Sequence, residues 1–319
     1  MTAESATLKA EAAPRVPIEA GSVQAQRAQA LTLTKGAFVV GYSAQTEWAW
    51  LIATAFFLGK IGGGLFAVSM FFDSYLGMLL GILIAVGGKG IAHLLYLGRW
   101  ERFWRILANP GSSWISRGFW AIAAFAVFGL IYIAPAYGVP IVQAGPPAWE
   151  VVRAIALLSV FVVMFYDGFV MNASTSIPLW NTSVLPVLCL SYSLLGGTSL
   201  SLALLAVSGS PTLTVGTLET MEISLIVANM VIVAMYLSSM FTATSAAKQA
   251  ATMLIAGRYA AYFIGLAIVL GLIVTLILAL LFMSTHVIPI LVIAAIADLI
   301  GHFSIFFLLL RAGLFAPVV

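Results

Sequence analysis

Charged side chains are the scarcest feature of this sequence. Only 8% of its 319 residues are Asp, Glu, Lys or Arg, whereas 62% are hydrophobic. Soluble domains carry about 25% charged residues, so this chain has roughly a third of the usual share. With a mean hydropathy of +1.11, the composition excludes a soluble globular domain and predicts an integral membrane protein.

Cysteine and histidine are also rare, with one Cys and three His in the chain. The single thiol, Cys189, cannot hold an iron–sulfur cluster or a structural zinc, and it cannot form an intrachain disulfide. A b-type haem needs two axial histidines at similar depth, and only His93 and His302 fall within apolar segments, far apart along the chain. We therefore expect no haem, no iron–sulfur cluster and no metal site, with Cys189 as a packing residue.

Long apolar runs dominate what is present. A membrane-spanning helix needs about 20 predominantly apolar residues, and eight such segments occur. They are numbered span 1 to span 8: 47–70, 77–97, 118–137, 152–173, 185–207, 222–243, 260–284 and 288–310. The sequence therefore predicts an all-α integral membrane protein with eight transmembrane helices.

A polar break between spans 4 and 5 suggests how these helices are grouped. The segment MNASTSIPLWNTSVLP, 171–186, combines two prolines with Asn, Ser and Thr, a composition typical of a turn between helices. We predict a polar N-terminal tail, 1–46, and two four-helix bundles, 47–175 and 176–319.

The distribution of charge predicts the orientation in the membrane. With eight spans, both termini and the loops after spans 2, 4 and 6 share one side, which carries 11 of the 14 Lys and Arg residues. The opposite side has only Arg153, together with Asp73, Glu150, Glu219 and Glu222. The positive-inside rule then predicts a multi-pass protein of the inner membrane with both termini in the cytoplasm. A net charge of +3 gives no reason to expect a nucleic-acid partner.

Ionisable residues inside the predicted spans need an explanation, because a charge at the helix centre costs about 2.5–3.5 kcal/mol. With a helical rise of about 1.5 Å per residue, their depths below the cytoplasmic surface range from about 6 Å to about 20 Å. This series predicts a proton path formed by Lys60, Lys89, Asp298 and His302. Depth suggests Asp298 as the partner of Lys60, although Asp298 and His302 are also spaced to pair with each other. The alternative is a salt-bridge network, for instance Lys89 with Asp167, that only fixes helix packing.

Lys89, His93 and Tyr96 are spaced i, i+4 and i+7, which places them on one face of span 2. A quinone headgroup needs hydrogen-bond donors at its oxygens and a route for two protons, which His, Tyr and carboxylate side chains supply. Further candidates at a compatible depth are Glu47, Tyr166 and Asp167.

Four segments resemble the NrfD/PsrC family, the membrane subunits of polysulfide reductase-like complexes. They are EWAW at 47–50, LYLGRWERFWRILANPGSSWISRG at 95–118, IPLWNTSVLPVL at 177–188 and IGHFSIFFLLLRAGLF at 300–315. Trp100 stands where the family's loop motif usually has proline, so the loop after span 2 is expected to bend differently.

The resemblance implies a protein that binds quinone, either menaquinone or ubiquinone, and anchors an iron–sulfur subunit. That subunit contacts a catalytic subunit, often a molybdopterin enzyme. The family's quinol site lies near the starts of spans 1 and 3 and the ends of spans 2 and 4. The residues of this chain in that region are Glu47, His93, Tyr96, Arg99, Tyr166 and Asp167. Arg99, Arg102 and Arg105, hereafter the loop arginines, are expected to meet an acidic partner.

Two other functions remain open. Buried charges also suit a secondary transporter or ion pathway, but such proteins often have Gly- or Pro-broken helices in matching pairs. The glycine cluster of span 1 has no clear counterpart in the second half. A third possibility is a scaffold in which the buried ions are purely structural.

Overall fold

The computed structural model describes residues 41–139, 146–208 and 215–316. Most of the predicted polar tail, 1–46, lies outside these residues. Residues Ala44–Ala316 form one compact unit, which contains all the membrane-spanning helices given below by their bounds. The division into bundles at 175/176 stays a prediction.

Eight of the described helices are long and apolar enough to cross a membrane, which confirms the predicted fold class. Their bounds, from span 1 to span 8, are Trp50–Phe71, Tyr75–Tyr96, Trp114–Tyr137, Pro147–Asn172, Val184–Leu205, Val215–Thr242, Ala260–Thr285 and Ile288–Arg311. A 3₁₀ segment, Trp100–Leu107, follows span 2, and a short helix, Ser245–Ile255, follows span 6. Two strands of two residues each, β1 (Ser43–Ala44) and β2 (Leu314–Phe315), flank the helices.

Span 6 begins earlier than the sequence predicts. The helix starts at Val215, so Glu219 and Glu222 lie inside the span and are buried. The prediction counted both among the charges of the side opposite the termini, whereas both side chains are buried. That side of the protein is consequently less acidic than predicted.

Two spans contain stretches of π-helix, in which the backbone winds more widely than in an α-helix. In span 2 the π segment covers Leu83–Gly88, and the Lys89 N–H bonds to the Ile84 carbonyl five residues earlier. In span 7 the π segment covers Phe263–Val274.

Span 1 lies at the centre of the unit because glycines let its neighbours approach its backbone. A Cβ at Gly64 would lie 1.7 Å from the Ser193 carbonyl oxygen of span 5, and one at Gly62 would lie 2.5 Å from the Ala85 nitrogen of span 2. Small residues at such crossings are what permits close helix packing in membranes. As a result, 78% of the most apolar part of span 1 is buried inside the protein, and the Lys60 side chain in its middle is fully buried.

We expect Gly64→Ala to destabilise the protein markedly, because the added methyl group meets backbone that cannot move aside. The midpoint of thermal unfolding in detergent should fall by several degrees. Gly265→Ala is the matched control, since a Cβ there has nothing within 4 Å. Equal midpoints for the two variants would contradict a backbone contact between spans 1 and 5.

Candidate functional site

A cluster of three charged side chains lies buried where spans 1, 2 and 4 meet. Asp167 accepts hydrogen bonds from Lys89 Nζ at 2.8 and 3.1 Å and from Lys60 Nζ at 3.2 Å. All three side chains are at most 1% exposed. The partner of Lys60 is therefore Asp167, and the suggestion of Asp298 was wrong.

The cluster carries one more positive than negative charge when all three groups are ionised. Aromatic rings compensate part of this excess, because the face of a ring attracts a cation. Lys60 Nζ lies 4.1 Å from the ring centroid of Phe306, and Lys89 Nζ lies 4.5 Å from that of Tyr166. The ring centroid of Phe56 lies 5.1 Å from Lys60 Nζ and 5.3 Å from Lys89 Nζ.

His93 is one turn beyond Lys89 and is oriented by the backbone. Its Nδ1 lies 3.0 Å from the Lys89 carbonyl oxygen. A carbonyl can only accept, so Nδ1 carries the proton and donates it. In the neutral ring this leaves Nε2 as a hydrogen-bond acceptor.

A cavity of about 430 Å³ adjoins this cluster beneath the loop between spans 2 and 3. Its polar edges come from Lys89, His93, Tyr96 and Tyr166, and the rest of the lining is apolar. The apolar lining comprises Trp48, Ile52, Phe56, Val86, Leu94, Leu97, Phe103, Ile106, Ile115, Phe119, Ile122 and Val170. A flat ring with polar atoms at its ends is the shape and chemistry that such a lining accommodates.

The cavity includes some of the predicted quinone-binding residues and not others. His93, Tyr96 and Tyr166 line it, while Asp167 lies behind the wall and contacts it through Lys89. Glu47 and Arg99 are exposed and are not among its lining residues. Glu47 nevertheless lies within electrostatic range of Tyr96.

Aromatic rings form much of the lining, and the sequence does not distinguish such rings from an interfacial belt. Tryptophans at this depth are typical of an interfacial belt, but Trp48 lines the cavity and stacks on Trp180 at a centroid distance of 5.2 Å. Phe103 and Phe119 form an edge-to-face pair at 5.7 Å and close the cavity from the loop side. For Phe103, its place four residues after Arg99 in the loop is the only signal that the sequence offers.

Comparison with known families decides the assignment. The sequence model described as "Polysulphide reductase, NrfD" matches residues 39–317. The chain belongs to the NrfD family. The match covers all eight spans and confirms the resemblance found in the sequence. NrfD proteins are membrane subunits of respiratory oxidoreductases of the polysulphide reductase type. No curated protein matches the chain.

In this NrfD protein the predicted pair on span 8 does not form. Neither carboxylate oxygen of Asp298 and neither ring nitrogen of His302 has a hydrogen-bond partner among the described residues, although both side chains are completely buried. His302 packs against the rings of Phe57, Tyr192 and Phe306 at 5.0–5.5 Å, and it lies within electrostatic range of Lys60.

Asp298 lies near a second buried carboxylate, at the residue where the sequence predicts the start of span 6. Glu222 of span 6 lies within its electrostatic range and accepts a hydrogen bond from the Ser199 hydroxyl of span 5 at 2.9 Å. Spans 5, 6 and 8 therefore bring two acidic side chains and a hydroxyl together inside the apolar part of the protein.

The loop arginines of this NrfD protein are all exposed. Arg102 and Arg105 belong to the 3₁₀ segment Trp100–Leu107, and Arg99 immediately precedes it. No carboxylate among the described residues lies within ion-pair distance of any of them. By contrast, Arg117 at the start of span 3 bonds to the Pro110 carbonyl oxygen at 2.9 Å and holds the loop in place.

Within residues 41–139, 146–208 and 215–316, no three His, Cys, Asp or Glu side chains are grouped as metal ligands.

Proposed function

We propose that this NrfD protein is the quinone-binding membrane subunit of a multisubunit respiratory oxidoreductase. The observation that carries the proposal is the cavity beneath the loop between spans 2 and 3, where His93, Tyr96 and Tyr166 border an aromatic pocket beside buried ions. A quinol of the menaquinone or ubiquinone type would supply two electrons and two protons there.

The chain's own residues bind the headgroup and take up protons. Tyr96 and Tyr166 offer hydroxyl groups for the quinone oxygens, and the apolar rings around them exclude water. His93 presents Nε2 as an acceptor because Nδ1 is occupied by the Lys89 carbonyl. A histidine in this state suits general-base removal of a hydroxyl proton.

The proton path in this proposal begins at the ion cluster. Lys89 and Lys60 meet at Asp167, and Lys60 lies within electrostatic range of His302. Asp298, one turn from His302, extends the series toward Glu222 and Ser199. The buried ring nitrogens of His302, which have no hydrogen-bond partner among the described residues, support this role, because a purely structural polar group is normally hydrogen-bonded.

The electrons pass to or from another subunit. One cysteine in the whole chain cannot ligate the clusters that carry electrons over such distances. We propose an iron–sulfur subunit docked on the loop arginines, with a catalytic subunit beyond it of the molybdopterin type frequent in the family. The charge distribution of the sequence supports an orientation in which the docking side and both termini face the cytoplasm.

Binding of a quinone analogue to the purified protein tests the proposed site. We expect saturable quenching of tryptophan fluorescence, because Trp48 lines the cavity. Tyr96→Phe should raise the Kd of the analogue about two- to tenfold, because one hydrogen bond to it is lost. Tyr137→Phe, an exposed tyrosine at the other end of span 3, serves as control. No saturable quenching, or the same rise in both variants, would argue for a transporter or a scaffold.

Docking on the loop arginines is tested by purification through a tag on this chain, with mass spectrometry of the retained polypeptides. We expect an iron–sulfur subunit in the wild-type preparation. The double substitution Arg102→Gln/Arg105→Gln should release it at a lower salt concentration, since exposed interfacial charges set the salt dependence of association. Arg153→Gln, which removes a cation paired with Glu150 at 3.6 Å, should have no effect. Absence of any redox subunit would contradict the proposal.

A further inference from the structure

A second cavity, larger than the one proposed for quinone, is a groove on the surface of the helix unit, between spans 1, 7 and 8. It has a volume of about 800 Å³, and it shares no residue with the cavity proposed for quinone. Its walls are largely apolar, formed by Trp50, Phe57, Leu266, Ile300, Phe303 and Phe307. In a membrane protein such a groove faces acyl chains and not water.

The length of the groove matches one leaflet of a bilayer. Its lining on span 8 extends from Ile296 to Arg311, which is about 22 Å at 1.5 Å per residue. Half of the hydrocarbon core is about 15 Å thick, so the groove covers a leaflet and reaches the headgroup region. Ser304, in the middle, donates its hydroxyl to the Ile300 carbonyl at 2.7 Å, so it offers no free donor to a bound group.

Two arginines lie at the headgroup end of this groove. The Tyr259 hydroxyl accepts a hydrogen bond from Arg258 and donates one to the Arg311 carbonyl at 3.2 Å. The Arg258 guanidinium lies 4.4 Å from the centroid of the Tyr259 ring. In the part of the chain that is described, no carboxylate lies within ion-pair distance of either arginine. An apolar groove thus ends at two cations that no described side chain neutralises.

We propose that this groove binds one anionic phospholipid, with an acyl chain against spans 7 and 8 and its phosphate at Arg258 and Arg311. Guanidinium groups bind phosphate oxygens through paired N–H donors. A second quinone fits the groove poorly, because an uncharged headgroup would leave both guanidinium groups without a counter-ion. A neutral transmembrane helix of a partner would leave the arginines unpaired. The proposal does not depend on quinone binding elsewhere.

Native mass spectrometry of the purified full-length protein tests this inference, with phosphatidylglycerol and phosphatidylcholine of identical acyl chains as probes. The wild-type protein should retain one phosphatidylglycerol in preference to phosphatidylcholine. A basic residue near a membrane surface contributes a factor of about five to the binding of anionic lipid. Arg258→Gln/Arg311→Gln should therefore reduce the preference by more than tenfold.

Two further variants separate the headgroup site from the acyl groove. Ile300→Trp fills the groove and should lower the retention of both lipids while keeping the preference. Lys248→Gln removes an exposed cation of the helix Ser245–Ile255, outside the groove, and should change nothing. Equal retention of both lipids by the wild type, an unchanged preference in the double arginine variant, or displacement of the lipid by a quinone analogue would each overturn the proposal.

Discussion

We expect Asp167→Asn to abolish quinol-linked turnover and to lower the stability of the protein. The amide keeps the volume of the side chain but leaves the ammonium groups of Lys60 and Lys89 buried without a counter-ion. Removing one partner of a buried ion pair costs about 3–5 kcal/mol, and here a single carboxylate serves two cations. The midpoint of thermal unfolding, monitored by size-exclusion chromatography of a fluorescent fusion, measures the loss of stability.

A compensating substitution distinguishes a structural from a functional role of the cluster. Asp167→Asn/Lys89→Met restores the wild-type formal charge of +1 and should recover much of the stability. If the cluster takes part in proton transfer, turnover stays low in this double variant. Recovery of turnover together with stability would support the alternative in which the ions only fix helix packing. Asp73→Asn is the control, because Asp73 is an exposed residue in the turn after span 1.

The second large effect is expected for His93→Ala. Loss of a general base typically lowers the rate by a factor of about 10² to 10⁴, and this fall should appear in quinol-linked turnover measured with the intact complex. Assembly should be preserved, because the ring bonds to the backbone of its own helix and joins no other element through that bond.

His286→Ala provides the matched histidine control for this experiment. His286 lies between spans 7 and 8, and its side chain is 72% exposed. Turnover of this variant should equal that of the wild type. Normal quinol kinetics in His93→Ala would remove His93 from the site, and a lost iron–sulfur subunit would assign it to assembly.

Hydropathy was sufficient to predict the eight spans, and helical spacing placed Lys89, His93 and Tyr96 on one face. The partner of Lys60 was not predictable, because depth along a helix does not reveal which neighbours it faces. Asp298 lay at the right depth, but the glycine contacts of span 1 bring Asp167 of span 4 to Lys60 instead. Adjacency of helices depends on packing, which a single sequence does not encode locally.

The predicted start of span 6 was wrong for a related reason. Glu219 and Glu222 lower the local hydropathy, so the apolar run appears to begin only at residue 222. In the folded protein, spans from elsewhere in the chain cover these carboxylates, which are therefore buried in the interior. The aromatic lining of the cavity could not be assigned from the sequence, because tryptophan and phenylalanine near a membrane surface look the same whether they face lipid or a pocket.

The π segment Leu83–Gly88 has a consequence for the geometry of the site. A π-bulge inserts one extra residue into an α-helix. Each residue of an α-helix turns the chain by about 100° about the helix axis. The segment Lys89–Tyr96 is thus rotated by that angle relative to an unbroken α-helical span 2. In an unbroken helix the face that carries Lys89, His93 and Tyr96 would point away from Asp167 and the cavity. The alignment of these three side chains is therefore set by backbone winding one turn earlier, at residues that carry no functional group themselves.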